Sequence, residues 1–237
     1  MRKLALLGWL LLPALAGAYH YGPGQERMLL DEADGALSGA GRAAAAGRFG
    51  AAVSAYDEAL ARLPETRRPE ARRVRVERAK AMMLDGLLPD ANADLKALTE
   101  EMQADRSSDP GVLADARAAL AGSQYYLTWL MKLEGLSREE WGPEIEGARQ
   151  TYRLLAEQAG GAGDGESARL RREDVESAIR LALADPGDLQ GRPLPKQCKG
   201  CKSGQCKKPG RKPAAGKTRP EDARGAGAGP PPDDSGS

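Results

Sequence analysis

The three cysteines of the chain are its clearest candidates for chemistry. They lie within nine residues of one another, as Cys198, Cys201 and Cys206, and lysines surround them. Nearby cations favour the thiolate, which is the form that binds metals and exchanges disulfides. A structural zinc site needs four ligands, whereas this segment offers three sulfurs without a neighbouring histidine. Three interpretations stay open: a metal site, with Zn²⁺ as its natural cation, a disulfide whose odd thiol links two chains into a dimer, or no role.

Other catalytic groups are scarce in the sequence. The single histidine, His20, lies outside every predicted helix, which argues against a Ser-His-Asp or Cys-His arrangement within the helical segment. Paired carboxylates such as Glu100-Glu101 and Glu173-Asp174 fall on polar helix faces, where solvation explains them better than acid–base catalysis. No glycine loop is followed by the Lys-Ser or Lys-Thr pair of a phosphate-binding loop. The sequence therefore predicts a protein that is not an enzyme and has no cofactor other than the Zn²⁺ considered above.

A basic run follows the predicted helices. Between Arg192 and Arg219 every charged residue is positive, and the run contains ten such residues. This pattern predicts salt-dependent binding to an anionic surface, with a solvated spacer as the alternative interpretation. The lack of interleaved aromatic residues argues against nucleic acid as the partner. The residues assigned to anion binding are Lys196, Lys199, Lys202, Lys207, Lys208, Arg211 and Lys212.

The two ends of the chain differ in composition from its middle. Residues 1–18 combine a basic start, a short apolar stretch and Ala16-Gly17-Ala18, which predicts a signal peptide cleaved after Ala18. The stretch holds about a dozen apolar residues, whereas a spanning helix needs about twenty, so an uncleaved anchor is the weaker alternative. No later stretch is apolar enough to cross a membrane. We therefore expect a periplasmic or secreted protein with a short extension at 19–24, a helical domain at 25–185, and a disordered Lys/Pro/Gly-rich tail at 186–237.

The middle of the chain predicts helices without a strand. Aromatic residues make up 4% of the sequence, so the core must use Leu, Ala, Val and Met, which suit closely packed helices. A stripe of apolar residues with steps of four, three and four occurs three times, and Gly47 and Gly86 precede the first two stripes at the same distance. This recurrence predicts an internal repeat of helical hairpins. The stripes are Ala52, Tyr56, Ala59 and Leu63; Ala91, Leu95, Leu98 and Met102; and Ala148, Tyr152, Leu155 and Ala159.

Local signals predict the remaining helix boundaries. Asp109-Pro110 should cap a long helix that ends at Gly135. Ser137 and Glu140 form a capping box for the next helix, which Pro143 either kinks or delays. The last helix, 166–184, should bury Val175, Ala178, Ile179 and Ala182. Its outer face should carry Arg169, Arg171, Arg172, Glu173, Asp174, Glu176 and Arg180.

The segment from Gly47 to Leu60, closed by Pro64, resembles the second half of a tetratricopeptide repeat. The small, aromatic, small and closing proline positions of that motif correspond to Ala52, Tyr56, Ala59 and Pro64. Weaker copies match in Ala79, Gly86, Ala91 and Leu95, and again in Ala148 and Tyr152. The chain thus resembles an exported bacterial member of the tetratricopeptide repeat family.

This resemblance implies an all-α solenoid of about three helical hairpins with a C-terminal capping helix. It also implies a groove that accepts a peptide, and hence a non-enzymatic scaffold or adaptor that binds another protein of the cell envelope. The alternative is a metal-binding or thiol-redox protein that acts through its cysteine segment. The aromatic residues can serve either as core or as binding hot spots, and they are Tyr56, Tyr125, Tyr126, Trp129, Trp141 and Tyr152.

Overall fold

The computed structural model describes residues 24–190 and, apart from these, Gly17 alone. The cysteine cluster, the basic run and almost all of the predicted signal peptide lie outside the described residues. Within residues 24–190 the chain is helical and contains no strand. The prediction of an all-α fold built from three hairpins and a further helix is confirmed.

Among residues 24–190, seven helices belong to the first of two compact units, which ends at Leu183. A short 3-10 turn at Glu65–Arg67 precedes the third helix. The second unit begins at Ala184, and its described part contains one short helix, α8 (Pro186–Leu189), inside the segment assigned to the tail. The helices of the first unit are α1 (Gln25–Ala45), α2 (Phe49–Arg62), α3 (Arg68–Leu84), α4 (Leu88–Ala104), α5 (Pro110–Leu133), α6 (Arg138–Gly161) and α7 (Gly165–Leu183).

Four turns of this unit share one backbone conformation. Each contains a glycine with a positive φ, at +73° for Gly47, +89° for Gly86, +79° for Gly135 and +76° for Gly163. The amide that follows each glycine donates to the carbonyl five residues earlier, as from Leu87 to Met82 at 2.9 Å. This is the Schellman motif, which satisfies helix carbonyls that would otherwise lack donors. The turn glycines therefore end α1, α3, α5 and α6 in the same way.

Three of these turns join consecutive helices into hairpins, namely α1/α2, α3/α4 and α5/α6. Each helix packs against the next along the chain, and α3 also packs against α5. Small residues allow this close approach: a Cβ at Gly147 of α6 would lie 2.7 Å from Nε2 of Gln124 in α5. The three stripes predicted from the sequence face the interior, except that Leu63 and Ala159, at their ends, are half-buried. The main core cluster is therefore built mostly from Ala, Leu, Met and Val, and a smaller, separate cluster contains Ala121, Ala148 and Tyr152.

Caps set the starts of α5 and α6, as the sequence predicts. The Asp109 carboxylate accepts from the amides of Gly111 and Val112 at 2.8 and 3.2 Å. The amide of Ser137 donates to Glu140 at 2.8 Å, which is one half of the capping box. Because α6 already begins at Arg138, Pro143 lies inside the helix and does not delay its start. The capping box satisfies backbone amides of the first turn and so holds the start of the helix in place.

The prediction for the last helix is partly wrong. Ile179 is 38% exposed, and Leu181 is buried in its place beside Ala178. Val175 and Ala182 are half-buried, as are Arg171 and Asp174, which pair with each other instead of facing solvent. Both rotations of this helix fit the apolar pattern, and contact with α5 and α6 selects the observed one.

Candidate functional site

Arginines of α3 connect the first two hairpins. Arg78 donates to Asp57 of α2 and to Asp94 of α4, at 2.6 Å in each case. Arg75 donates to Glu101 at 2.6 Å. These guanidinium groups are used within the fold, so α3 does not present them as a binding site for a free anion.

Arg72 is the most buried of these cations, with 8% of its side chain exposed. It contacts Glu101 at 2.9 Å, Asp105 at 2.8 Å and the Ser108 hydroxyl at 3.0 Å. The Ser107 hydroxyl and amide also donate to Asp105, and together with Arg72 they lower the pKa of Asp105 to about 2. We name Arg72, Glu101, Asp105 and Ser108 the arginine hub. It joins α3 to the end of α4 and the following loop.

An aromatic cluster occupies the third hairpin. The rings of Tyr125 and Tyr126 meet edge to face with centroids 5.5 Å apart, and those of Tyr125 and Trp129 are 6.4 Å apart. Burial raises the pKa values of Tyr125 and, more strongly, of Tyr152 in α6. Of the aromatic candidates, Tyr56, Tyr126, Trp129 and Tyr152 are buried and serve as core, whereas Tyr125 and Trp141 are half-buried.

Lys132 is a buried cation that the sequence analysis missed. Its ammonium donates to the carbonyls of Leu181 and Ala182, at 2.8 and 3.1 Å, and lies 4.2 Å from the centroid of the Trp141 ring. A helix C-terminus carries free carbonyls and partial negative charge, so a lysine there is stabilising. In the sequence, the only indication of this burial is that Lys132 lies on the same helical face as Tyr125 and Trp129. We name the contacts of Lys132 with Trp141, Leu181 and Ala182 the lysine latch.

Exposed apolar side chains recur at one position of successive hairpins. Leu84 and Leu133 each lie two residues before a turn glycine, and they are 41% and 37% exposed. Both end the first helix of their hairpin. Met28 and Leu29 are exposed on α1, again a first helix. Four of the eight exposed large apolar side chains among the described residues thus lie on first helices; the others are Leu87 at the start of α4, Leu154 of α6, and Ile179 and Leu183 of α7.

The residues assigned to repeat packing lie in the first unit, and most of them are buried. Pro64 follows α2 and is half-buried, and Gly47 and Gly86 form the turns. The others, buried between helices, are Ala52, Tyr56, Ala59, Ala79, Ala91, Leu95, Ala148 and Tyr152. The structure does not describe the candidate metal ligands Cys198, Cys201 and Cys206, or the anion-binding residues from Lys196 to Lys212. Residues 24–190 contain no cluster of metal-ligating side chains and no helix with the length and apolarity to span a bilayer.

Comparisons with known proteins leave the family open. No family model matches this chain, and neither a curated protein nor a solved structure matches it.

Proposed function

We propose that this protein is a non-enzymatic scaffold of the tetratricopeptide repeat type that binds another protein of the cell envelope. The recurrence of an exposed leucine at equivalent positions, Leu84 and Leu133, carries this proposal. Single exposed leucines are common on protein surfaces, but folding does not require the same exposed leucine in two successive hairpins. A partner that extends along the first helices would bury both.

The stacking of the hairpins supports the same function. Contact between α3 and α5, the first helices of two successive hairpins, brings their surfaces side by side. Arrays of stacked hairpins use such extended surfaces to bind partners. Carboxylates of α2, α4 and the adjoining loop pair with Arg72, Arg75 and Arg78 of α3. A partner that binds near Leu84 would therefore be recognised mainly through apolar contact.

Site-specific photo-crosslinking tests this proposal. We would place p-benzoylphenylalanine at Leu84, at Leu133 or, as a matched control on a second helix, at Leu154, which is 38% exposed. The full chain would be expressed in bacteria that can export it to the cell envelope. We expect Leu84 and Leu133 to yield one common adduct that Leu154 does not. Equal labelling from all three positions, or none from Leu84 and Leu133, would overturn the proposal.

A triple serine variant separates this function from the thiol alternative. With Cys198, Cys201 and Cys206 replaced by serine, the adducts from Leu84 and Leu133 should persist at the same yield. Loss of the adducts, with an unchanged circular dichroism spectrum, would transfer the function to the cysteine segment.

A further inference from the structure

The turns that close the three hairpins lie at the same edge of the first unit. Each helix from α1 to α6 packs against the next. Neighbouring helices joined by short connections run antiparallel, so the ends of α1, α3 and α5 fall on one side. One close approach shows this directly, because a Cβ at Gly50, in the first turn of α2, would lie 3.1 Å from Oδ2 of Asp85, at the end of α3. We name residues 84–90 and 133–140, which form this side of the second and third hairpins, the turn edge.

Two of the four Schellman turns carry the same residue types. Residues 82–87 have the sequence Met-Leu-Leu-Asp-Gly-Leu, and residues 131–136 have the sequence Met-Lys-Leu-Glu-Gly-Leu. The turns at Gly47 and Gly163 have the same backbone conformation, yet the residues before their glycines are Ala45-Ala46 and Gly161-Ala162. The turn geometry therefore requires neither the leucine nor the carboxylate that precedes the glycine in the other two.

The turn edge presents three leucines to solvent. Leu84 and Leu87 are each 41% exposed, and Leu133 is 37% exposed. In a Schellman motif the residue after the glycine often packs back against the helix, which accounts for the half-buried Leu136. Leu87 occupies the equivalent position and is nevertheless exposed. Contact within the fold thus leaves apolar surface uncovered at both turns.

Carboxylates border these leucines without a compensating cation. Glu134 is the C-terminal cap of α5, where the free carbonyls carry partial negative charge and a carboxylate is unfavourable. Glu134 and Asp90 are exposed, and neither pairs with another residue that the structure describes. Asp85 differs from them, because its carboxylate lies against the start of α2. The fold therefore gains nothing from the charge of Glu134 at its position.

The charge of the turn edge restricts the partners that can cover its leucines. The turn edge contains five carboxylates and one basic side chain, that of Arg138. Complementary charge favours an encounter, whereas like charges brought together disfavour it. An apolar segment bordered by acidic residues would therefore be repelled, and one bordered by lysine or arginine would be attracted.

We propose that the turn edge binds a segment of a partner protein in which leucine-like residues are bordered by lysine or arginine. Contact with Leu84, Leu87 and Leu133 supplies the affinity. Asp90 and Glu134 select the charge of the partner. The inference rests on the proposed scaffold function and adds to it the chemical class of the segment that is bound.

Binding of designed peptides to the full chain tests both parts of this surface. The probe is a fluorescein-labelled helical peptide of leucine and lysine, and its counterpart has glutamate in place of every lysine. Fluorescence anisotropy should show that the lysine peptide binds at least about tenfold more tightly than the glutamate peptide, and less tightly as salt is added. Replacing Leu84 and Leu133 together by serine should lower the affinity for the lysine peptide by at least about tenfold.

Charge reversal at matched positions separates the turn edge from general attraction to carboxylates. Asp90→Lys with Glu134→Lys should weaken binding of the lysine peptide by about tenfold. Glu100→Lys with Asp115→Lys is the control, because these exposed carboxylates also lie on α4 and α5 but outside the turn edge. Equal losses in the two double variants, or equal affinities for the two peptides, would overturn the proposal. If Asp90→Lys disturbs folding, Glu134→Lys alone decides, since a cation is favourable at a helix C-terminus.

The crosslinked adducts distinguish this inference from the scaffold function. With the crosslinker at Leu84, Asp90→Lys and Glu134→Lys together should lower the adduct yield severalfold, and the control pair should leave it unchanged. A yield that neither pair changes would keep the scaffold and overturn the basic partner. Adducts missing from the parent chain would overturn the scaffold, whereas the peptide affinities would still decide which charge the turn edge selects.

Discussion

At the scale of single residues, the turn glycines govern how the hairpins close. Gly86 has a φ of +89°, a region that L-amino acids occupy at a cost, yet nothing lies near the position of a Cβ. The requirement for glycine is therefore conformational and not steric. In contrast, Gly41 lies inside α1, has no positive φ, and also has open space around it.

This contrast predicts opposite effects of the same substitution. Gly86→Ala should lower the free energy of unfolding by about 1 kcal/mol, because alanine is strained in the left-handed region. Gly41→Ala should raise it by up to about 1 kcal/mol, because alanine favours a helix interior. Urea unfolding followed by circular dichroism measures both. A change of the same sign at the two positions would contradict the conformational explanation.

At the scale of elements, the arginine hub determines how α3 and α4 remain paired. Burial raises the pKa of Glu101, but hydrogen bonds from Arg75 and Arg72 outweigh it and lower the pKa overall. The pKa of Asp105 is lowered to about 2 by Ser107 first and then by Arg72. Both carboxylates are thus more acidic in the folded chain than in the unfolded chain.

The lowered pKa values predict a dependence of stability on acid. A depressed pKa contributes stability that is present above the unfolded value, near 4, and is lost as the pH falls toward the folded value, near 2. The free energy of unfolding should therefore decrease between about pH 4 and pH 2. Asp105→Asn should make this decrease shallower, and Glu100→Gln, at an exposed neighbour, should leave its slope unchanged. Identical slopes in wild type and Asp105→Asn, from urea titrations at several pH values, would exclude the hub as the cause.

At the scale of the whole unit, stability should decrease from the middle helices toward the first. The helix α3 packs against α2, α4 and α5, whereas α1 packs mainly against α2 and buries only Ala33, Ala40 and Ala43. Stacked hairpins draw their stability from contacts with their immediate neighbours. A terminal hairpin therefore has fewer sources of stability than an internal one.

Native-state hydrogen exchange would measure this gradient. Amides of α1 should exchange before those of α3, because α1 can open without disturbing the second hairpin. Because α1 and α3 are compared within one sample, the measured exchange rates need correction only for the intrinsic exchange rate of each amide. Uniform protection across α1 to α5 would instead show that this part of the unit unfolds in a single cooperative step.

The sequence alone determined the helices, the turns and most of the buried stripe. Gly47, Gly86, Asp109 and the Ser137–Glu140 pair act on backbone groups a few residues away, so their effect is readable without the fold. The equivalence of Leu84 and Leu133 was also readable, because both precede a turn glycine by two residues.

Only the tertiary structure decided which polar groups are buried and which aromatic residues belong to the core. Lys132 contacts carbonyls 49 and 50 residues away, and Arg72 contacts groups 29 to 36 residues away. Such partners leave no local pattern, because burial of a charge depends on which distant atoms can satisfy it. The rotation of α7, which exposes Ile179 and buries Leu181, was decided in the same way by packing between helices that the periodicity of one helix does not specify.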